Sequence, residues 1–297
     1  MAEPTPGRIL TTRGELLAAL AGPGTGFVPT MGALHEGHRS LIRRAAADNG
    51  RTVVSIFVNP AQFDDPDDAA AYPRNLVRDA AAAFDVGADL VFAPPVDEVY
   101  PPGFATAVEV RALGERWEGA ARPGHFRGVA TIVAILLNLV RPDRAYFGEK
   151  DYQQLLVVRR LHADLALPGE IVGCPTIRDA NGLALSSRNA RLSAADRERA
   201  TAVPRALRRM AENAEAGEAD AARLVALGRD ALSGQPGMAV EYLVVVDQET
   251  LEPVETVVPG TRVLVAVRLG GVRLIDNVLL APRATPATAG ATGPGRR

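Results

Sequence analysis

The sequence predicts an α/β protein with a mostly parallel sheet covered by helices on both faces, followed by a smaller C-terminal α+β unit. In the first half, short apolar runs alternate with amphipathic helical patterns, as in repeated strand–helix units. Residues 52–58 are β-branched and apolar on both faces, which is typical of a buried parallel strand. After Cys174 the alternation ends, and helical segments are followed by three β-rich runs. These three observations support the fold class.

The N-terminal elements follow from the spacing of apolar residues. An apolar run at 27–30 leads into a glycine-punctuated turn, and periodic apolar residues then predict a helix over 39–49. We expect further strands at 52–58, 88–93, 145–147 and 170–174, and helices at 75–86, 129–140 and 151–165. We also expect a loop at 94–103, an edge strand at 106–110 and no regular structure at 121–128. Such Rossmann-like units place ligands at the carboxyl ends of their strands.

The C-terminal pattern begins with turn and capping signals. Asn181-Gly182 predicts a turn. Ser193, with Asp196 three residues later, marks the start of a long helical region that Pro204 should kink or divide. A second helix is expected at 219–232, and strands at 239–246, 262–269 and 272–280.

These patterns divide the chain into three parts. We expect a Rossmann-like domain at residues 1–185 and a separate C-terminal α+β domain at residues 186–282. Residues 283–297 are rich in Pro, Ala, Thr and Gly, which predicts a disordered tail.

Composition excludes several classes of function. The net charge is -2 and the pI about 6.1, so no overall positive field is present to bind nucleic acid or an anionic membrane. A single cysteine cannot form an internal disulfide, and the first residues contain no apolar signal core. The longest apolar stretch, at 129–140, is shorter than the roughly 20 residues that a membrane span needs. We therefore expect a cytoplasmic protein with no nucleic-acid or membrane partner.

Two of the four histidines, His35 and His38, lie in the turn after the first predicted strand. The following helix would direct unpaired N–H groups and its positive dipole end at this turn, which favours binding of a phosphate. Two alternatives remain open on local evidence, namely ordinary surface histidines and a metal site of the His-x-x-His type. No third histidine is near, and Cys174 is the only cysteine, so a metal would need carboxylates from elsewhere.

Lys150 is the only lysine, and the other 32 of the 33 basic residues are arginine. Where arginine fills almost every basic position, the remaining lysine suits a place that requires a compact ammonium group. Chance retention is the alternative. The surrounding residues, 147–151, form a second strand-to-helix turn with charged residues at its tip.

Six segments together resemble the pantoate–β-alanine ligase (pantothenate synthetase) family. They occur in the family's order and spacing, and the similarity runs from about residue 8 to residue 282. The His-x-x-His turn alone is shared with a wider nucleotidyltransferase superfamily. The segments are Met31-Gly32-Ala33-Leu34-His35-Glu36-Gly37-His38, Asn59-Pro60-Ala61-Gln62-Phe63, Tyr72-Pro73-Arg74, Gly124-His125-Phe126-Arg127-Gly128, Gly148-Glu149-Lys150-Asp151-Tyr152-Gln153-Gln154 and Leu185-Ser186-Ser187-Arg188-Asn189.

The resemblance implies an ATP-dependent condensation of (R)-pantoate with β-alanine. The reaction would pass through an enzyme-bound pantoyl adenylate and give pantothenate, AMP and pyrophosphate. Because a carboxylate becomes a good acyl donor only when it is joined to a leaving group such as AMP, no protein nucleophile is required. The family also implies a homodimer formed through the N-terminal domain.

The catalytic and nucleotide residues implied by the resemblance combine the histidine turn with three later segments. His38 corresponds to the family's proton donor, and His35 to its partner in stabilising charge. Lys150 and Ser186-Ser187-Arg188 would contact the triphosphate, with the serine–arginine segment acting as a mobile loop. The residues implied in ATP binding are Met31, Gly32, Ala33, Leu34, His35, Glu36, Gly37, His38, Gly148, Glu149, Lys150, Asp151, Ile177, Leu185, Ser186, Ser187 and Arg188.

The same resemblance places the acid and the amine beside the nucleotide. Gln62 and Gln154 would hold pantoate, with Gln62 also placing β-alanine, and Arg122 and His125 would form the rim of that pocket. Mg²⁺ is expected with ATP, mainly on phosphate oxygens. Asp79 matches an acidic position of the family and is the one metal ligand implied, although its place on a predicted helix favours a surface charge.

Two other functions fit part of the pattern. One is an adenylyl- or cytidylyl-transferring enzyme of the same superfamily that forms no amide, and Gln62 and Gln154 argue against it. The other is a catalytically silent nucleotide-binding regulator, which the completeness of the six segments argues against.

Overall fold

Six parallel strands form the sheet of the N-terminal half in a computed structural model that describes residues 7–20, 22–64, 69–70 and 72–281. The predicted tail at 283–297 lies outside the described residues. The strands are β1 (Arg8–Leu10), β2 (Thr25–Thr30), β3 (Arg51–Ile56), β4 (Leu90–Phe92), β5 (Arg144–Gly148) and β6 (Glu170–Cys174). Their order in the sheet is β1-β4-β3-β2-β5-β6, with every pair parallel.

Alternate side chains of the central strands enter two different apolar cores. The helices that line these cores are α1 (Arg13–Ala19), α2 (Glu36–Asp48), α3 (Leu76–Phe84), α6 (His125–Val140) and α7 (Tyr152–Asp164). Phe27 and Val53 belong to the core that also contains side chains of α1, α6 and α7, whereas Val28 and Val54 belong to the core with α2 and α3. Helices therefore cover both faces, which confirms the predicted α/β class.

Three local predictions are wrong. The segment at 121–128 is not irregular, because α5 (Glu118–Ala121) ends in it and α6 begins at His125, directly after a left-handed Gly124. The predicted loop at 94–103 contains one helical turn, α4 (Val96–Val99). The segment at 106–110 forms no strand in the described chain, and the N–H of Val108 donates to the Thr131 hydroxyl at 3.0 Å.

The C-terminal unit is a three-stranded antiparallel sheet packed on helices. It consists of α8 (Ala194–Ala200), α9 (Ala202–Glu215), α10 (Ala221–Ser233), β7 (Met238–Asp247), β8 (Thr261–Leu269) and β9 (Val272–Leu279). The helical region divides at Thr201, which leaves Pro204 in the first turn of α9, where its missing N–H costs no hydrogen bond.

Apolar packing joins this unit to the parallel sheet. Leu224 and Leu243 lie in a core of the C-terminal unit itself. Val246 and Leu264, from β7 and β8, instead belong to the same core as the buried residues of α6 and α7. The antiparallel sheet therefore shares an apolar core with helices of the N-terminal half. Among the described residues, no helix is both long and apolar enough to cross a membrane.

Candidate active site

A cavity of about 230 Å³ lies where the carboxyl ends of β2, β3 and β5 meet the segment after β6. It gathers most of the residues that the sequence singled out: Met31, His35, Gly37, His38, Gln62, Arg122, His125, Gly148, Lys150, Asp151, Gln154, Ile177, Leu185, Ser186, Ser187 and Arg188. Six others do not line it, namely Gly32, Ala33, Leu34, Glu36, Asp79 and Glu149. Segments more than 100 residues apart therefore converge on one edge of the sheet.

The side chains of the two histidines in the turn cap the start of α2. His35 is the N-cap residue, and its Nδ1 accepts a hydrogen bond from the Gly37 N–H at 3.1 Å. His38 Nδ1 accepts from the His35 N–H at 3.4 Å. Because each Nδ1 is an acceptor, each neutral ring carries its proton on Nε2. Both side chains can therefore donate a hydrogen bond to an anionic oxygen in the cavity.

The histidines are neutral at pH 7 when the cavity holds no anion. Burial, followed by the charge of Lys150, lowers the pKa of His35 to about 4. Burial, followed by the charge of His35, lowers the pKa of His38 to about 3. A bound polyphosphate would oppose both effects, because an adjacent negative charge favours the protonated ring.

Asp79 is buried behind the histidine turn. One carboxylate oxygen accepts from the Ala33 N–H at 2.8 Å, and the other from the Leu34 N–H at 2.9 Å. Gly32, at φ 85°, allows this approach, since a Cβ there would lie 2.9 Å from Asp79 Oδ2. Asp79 is only 4% exposed, so its interpretation as a helix-surface charge is wrong.

Asp79 as a metal ligand stays a prediction. The described residues contain no group of three or more His, Cys, Asp or Glu side chains that could hold a metal ion. Glu36, another residue implied in ATP binding, forms ion pairs with Arg39 and Arg43 on the exposed side of α2.

Lys150 lies in a 3-10 turn, Glu149–Asp151, between β5 and α7. Its ammonium is 3.3 Å from Asp151 Oδ1. Burial alone would raise the pKa of Asp151, but the charge of Lys150 lowers it. The cavity therefore contains a paired ammonium and carboxylate beside the neutral histidines.

The amide of Gln62 is oriented by Asn59. Asn59 Nδ2 donates to Gln62 Oε1 at 3.0 Å and to the carbonyl of Gly128 at 3.1 Å, while Asn59 Oδ1 accepts from the Tyr100 hydroxyl at 2.7 Å. With its oxygen occupied, Gln62 presents its NH₂ group as a donor. Asn59 was not among the residues predicted for the site, although its place at the carboxyl end of β3 was a usable signal.

Helix α6 passes very close to the turn that carries Gln62. A Cβ at Gly128 would lie 2.1 Å from the carbonyl oxygen of Ala61, so only glycine fits at this point. Backbone therefore packs directly on backbone next to Gln62, whose side chain lines the cavity.

Arg122 and His125 form a rigid rim around the backbone of Gln62. His125 Nδ1 donates to the Gln62 carbonyl at 2.8 Å, and its Nε2 accepts from Arg122 at 3.2 Å. Arg122 also forms an ion pair with Asp64 at 2.9 Å. Burial, followed by the charge of Arg122, lowers the pKa of His125 to about 4. Three of the four histidines thus line one cavity.

The serine–arginine segment reaches this cavity through a short hairpin. The Leu185 N–H donates to the Ile177 carbonyl at 3.0 Å, which brings the two apolar residues together. Ser186 then caps the 3-10 turn Ser187–Arg191 by accepting from the Arg188 N–H at 3.3 Å. A second cavity of about 320 Å³ continues towards β9 and shares Lys150, Gln154 and Arg188 with the first.

The fold and the cavity define a class of enzyme that binds a phosphorylated nucleotide and a small acid. The cavity lies at the edge of a parallel α/β sheet and combines imidazoles at a helix N-terminus with an ammonium group and a serine–arginine turn. The family model described as Pantoate-beta-alanine ligase matches residues 9–279. The chain belongs to this family.

Individual relatives agree along nearly the whole chain. The chain is 53% identical over 276 residues to a pantothenate synthetase of Thermus thermophilus, covering 93% of this chain and 100% of the relative. It is 55% identical over 278 residues to a pantothenate synthetase of Deinococcus radiodurans, covering 91% and 99%.

Two solved structures resemble the fold closely. A crystal structure of a pantothenate synthetase from Thermus thermophilus has a TM-score of 0.90 at 52% identity and covers 93% of this chain and 100% of that one. A pantoate-beta-alanine ligase from Francisella tularensis, complexed with beta-gamma ATP and beta-alanine, has a TM-score of 0.77 at 34% identity and covers 92% and 97%.

Proposed function

We infer that the chain, as a member of this family, joins the carboxyl group of (R)-pantoate to the amine of β-alanine at the expense of ATP. The observation that carries this inference is the single cavity in which His38, Lys150 and Ser187 lie together with Gln62 and Gln154. The first three suit a triphosphate, and the two amides suit a small hydroxy acid. The proposed course has two steps.

In the first step a carboxylate oxygen of pantoate attacks the α-phosphorus of ATP, and the bond to pyrophosphate breaks. Both reactants are anions, so the protein must position them and stabilise the added charge. The Nε2–H groups of His35 and His38 and the ammonium of Lys150 supply donors and positive charge on one side. Arg188 supplies them from the serine–arginine turn.

In the second step the neutral amine of β-alanine attacks the acyl carbon of pantoyl adenylate. The bond between that carbon and the AMP oxygen breaks, and the amine loses a proton. Gln62 and Gln154 hold the pantoyl group against an apolar wall that includes Phe57 and Val129. This wall limits access of water, which would hydrolyse the adenylate.

Magnesium fits this site as a partner of ATP with few protein ligands. It neutralises charge on the phosphate oxygens when bound. Asp151 is a carboxylate on the cavity wall, whereas both oxygens of Asp79 already accept backbone N–H groups. We therefore propose that the triphosphate oxygens supply most of the ligands of the magnesium ion. Asp79 could contact the ion only through the lone pairs that its backbone hydrogen bonds leave unused.

We further propose that residues 186–282 act as a lid domain over residues 1–185, and that two copies pair through the N-terminal domain in the cytoplasm. Three large apolar side chains of the N-terminal half are exposed, namely Ile9 on the edge strand β1, Leu17 on α1 and Val96 on α4, and we propose that a second copy covers them. Light scattering coupled to gel filtration tests the homodimer.

An AMP-release assay with each substrate omitted in turn tests the reaction. We expect steady AMP release only when ATP, pantoate and β-alanine are all present, with pantothenate identified by mass. Steady AMP release that does not depend on β-alanine would contradict the ligase. No turnover at all, with ATP still bound, would instead support a silent regulator.

A further inference from the structure

Strand β9 carries a buried amide that contacts the backbone of the Lys150 turn. Asn277 is 5% exposed, and its Nδ2 donates to the carbonyl oxygen of Glu149 at 2.8 Å and to that of Lys150 at 3.0 Å. An NH₂ group has two hydrogens, so one amide satisfies two successive peptide groups. The contact spans 127 residues of sequence and joins the C-terminal sheet to the N-terminal one.

The orientation of this amide is fixed by a second residue. Arg262, on β8, donates to Asn277 Oδ1, and a guanidinium can only donate. The oxygen of Asn277 must therefore face Arg262, and its NH₂ group must face the two carbonyls. The Arg262 guanidinium also stacks on the ring of Tyr152, with its central carbon 3.7 Å from the ring centroid. Tyr152 begins α7, directly after the turn.

We propose that Asn277 is a positioning residue that fixes the direction of the Lys150 side chain by holding both peptide groups around it. The proposal rests on the proposed function, in which the Lys150 ammonium contacts the triphosphate. Fixing the carbonyls of Glu149 and Lys150 fixes the peptide planes on both sides of the Lys150 Cα, and so the direction of its Cβ. The protein's only lysine would then be held by a strand that lines no part of the first cavity.

The neighbouring residue of β9 makes a matching contact with the other phosphate-facing segment. Asp276 forms a two-pronged ion pair with Arg178, at 2.6 and 2.9 Å. Arg178 lies in the hairpin that leads to Ser186, and it also donates to the Gly182 carbonyl at 3.0 Å. Any displacement of β9 would therefore move the lysine turn and the serine–arginine turn together.

The kinetic test compares Asn277→Asp and Asn277→Ala with the same substitutions at Asn213. Asn213 is a partly exposed amide on α9 that donates to the Arg209 carbonyl at 2.8 Å and lines neither cavity. Pyrophosphate release is measured in a single turnover with ATP and pantoate. We expect the Asn277 variants to lose about ten- to a hundredfold in rate, the scale for a misplaced group of about 1 Å, and the controls to keep theirs.

Repeating the substitutions in a Lys150→Ala background separates positioning from a structural role. If Asn277 acts through Lys150, its substitution should change the remaining rate by less than about twofold in that background. A loss of the same factor in both backgrounds would overturn the proposal. Asn277→Ser, which keeps a small polar side chain, replaces the other variants if near-UV circular dichroism shows that they do not fold.

A second readout does not depend on catalysis. Protein labelled with [¹⁵N]lysine contains a single labelled residue, so its amide spectrum reports on Lys150 alone. Substitution of Asn277 should shift and broaden this resonance, whereas substitution of Asn213 should leave it in place. An unmoved resonance would overturn the proposal. If the wild-type protein forms no pantoyl adenylate, the proposed function is wrong. The shift of the Lys150 amide resonance still shows, independently of catalysis, whether Asn277 positions the turn.

Discussion

The rings of His35 and His38 lie 4.1 Å apart between centroids and are tilted by 33°, at the first turn of α2. Each Nδ1 accepts a backbone N–H, so the pair forms a reciprocal cap with both Nε2–H groups available. The arrangement combines two roles, because the same nitrogens that terminate the helix also determine which nitrogen carries the proton. Replacing either residue therefore changes a cap and a donor at once.

His38→Ala should slow pantoyl adenylate formation by roughly 10² to 10³, the usual loss when a donor to developing charge is removed. Single-turnover pyrophosphate release measures this rate. His162→Ala is the matched control, because His162 contacts the Pro168 carbonyl outside the cavity. A near-normal rate in His38→Ala would contradict the role assigned to this ring.

The protein should lose stability as the pH falls from 6.5 towards 4. Burial lowers the pKa of His35 and His125 to about 4 and that of His38 to about 3. Unfolding returns these rings to an ordinary pKa of about 6.5, so the unfolded state binds more protons within this range. Folding is thereby progressively disfavoured as the pH decreases.

Urea unfolding at pH 7 and pH 5 measures this effect, with His125→Gln as the comparison. The variant has no imidazole to protonate at this position, so its free energy of unfolding should fall less between the two pH values. An equal decrease in the variant and the wild type would show that His125 does not contribute.

Lys150→Arg should be damaging although it keeps the positive charge. A planar guanidinium distributes its charge over a wide fork and cannot replace a compact ammonium beside Asp151. We expect a loss of at least about tenfold in adenylate formation, the effect of about 1.4 kcal/mol on the barrier. Arg160→Lys is the reverse exchange, at an exposed ion pair with Asp164 on α7, and it should leave the rate of adenylate formation unchanged. Wild-type activity in Lys150→Arg would mean that the single lysine is an accident of composition.

Asp79→Ala should destabilise the protein and weaken ATP binding. The substitution leaves the N–H groups of Ala33 and Leu34 without their acceptor, at a cost of about 1–3 kcal/mol each when buried. Denaturant unfolding measures the stability, and the KM for ATP reports on the turn. Asp230→Ala, at an exposed position of α10, is the control.

The Asp79→Ala variant also distinguishes a structural role of Asp79, in which it accepts hydrogen bonds from the histidine turn, from a role as a metal ligand. If Asp79 shapes the turn, the Mg²⁺ concentration needed for half-maximal activity should stay unchanged at saturating ATP. A large increase in that concentration with normal stability would favour the ligand instead.

The parallel sheet could be predicted from the sequence because the residue patterns that indicate its strands and helices are local. Val53 and Val54 face opposite cores, so the strand is apolar throughout, and α2 and α7 follow from helical spacing. The start of α6 was missed because Arg122 to Gly128 is polar, and its burial depends on packing against the turn with Gln62. The segment at 106–110 has strand-like residues, but no neighbouring strand of the described chain accepts it.

The residues that hold the site residues in position could not be predicted from the local sequence pattern. Asp79 looks like an ordinary helix carboxylate until the turn 45 and 46 residues earlier donates its N–H groups. Asn277 lies in an alternating strand, and nothing near it in sequence indicates a partner 127 residues away. Motifs identify the side chains that face the ligands, whereas the residues behind them are set by tertiary contacts.

The close approach of Gly128 to Ala61 couples the position of α6 to that of the turn with Gln62. Two main chains already touch there, so any side chain at position 128 would push the turn away from the helix. A single methyl group added at Gly128 would therefore displace the Gln62 amide, which lines the cavity, although the methyl group itself lies outside the cavity wall.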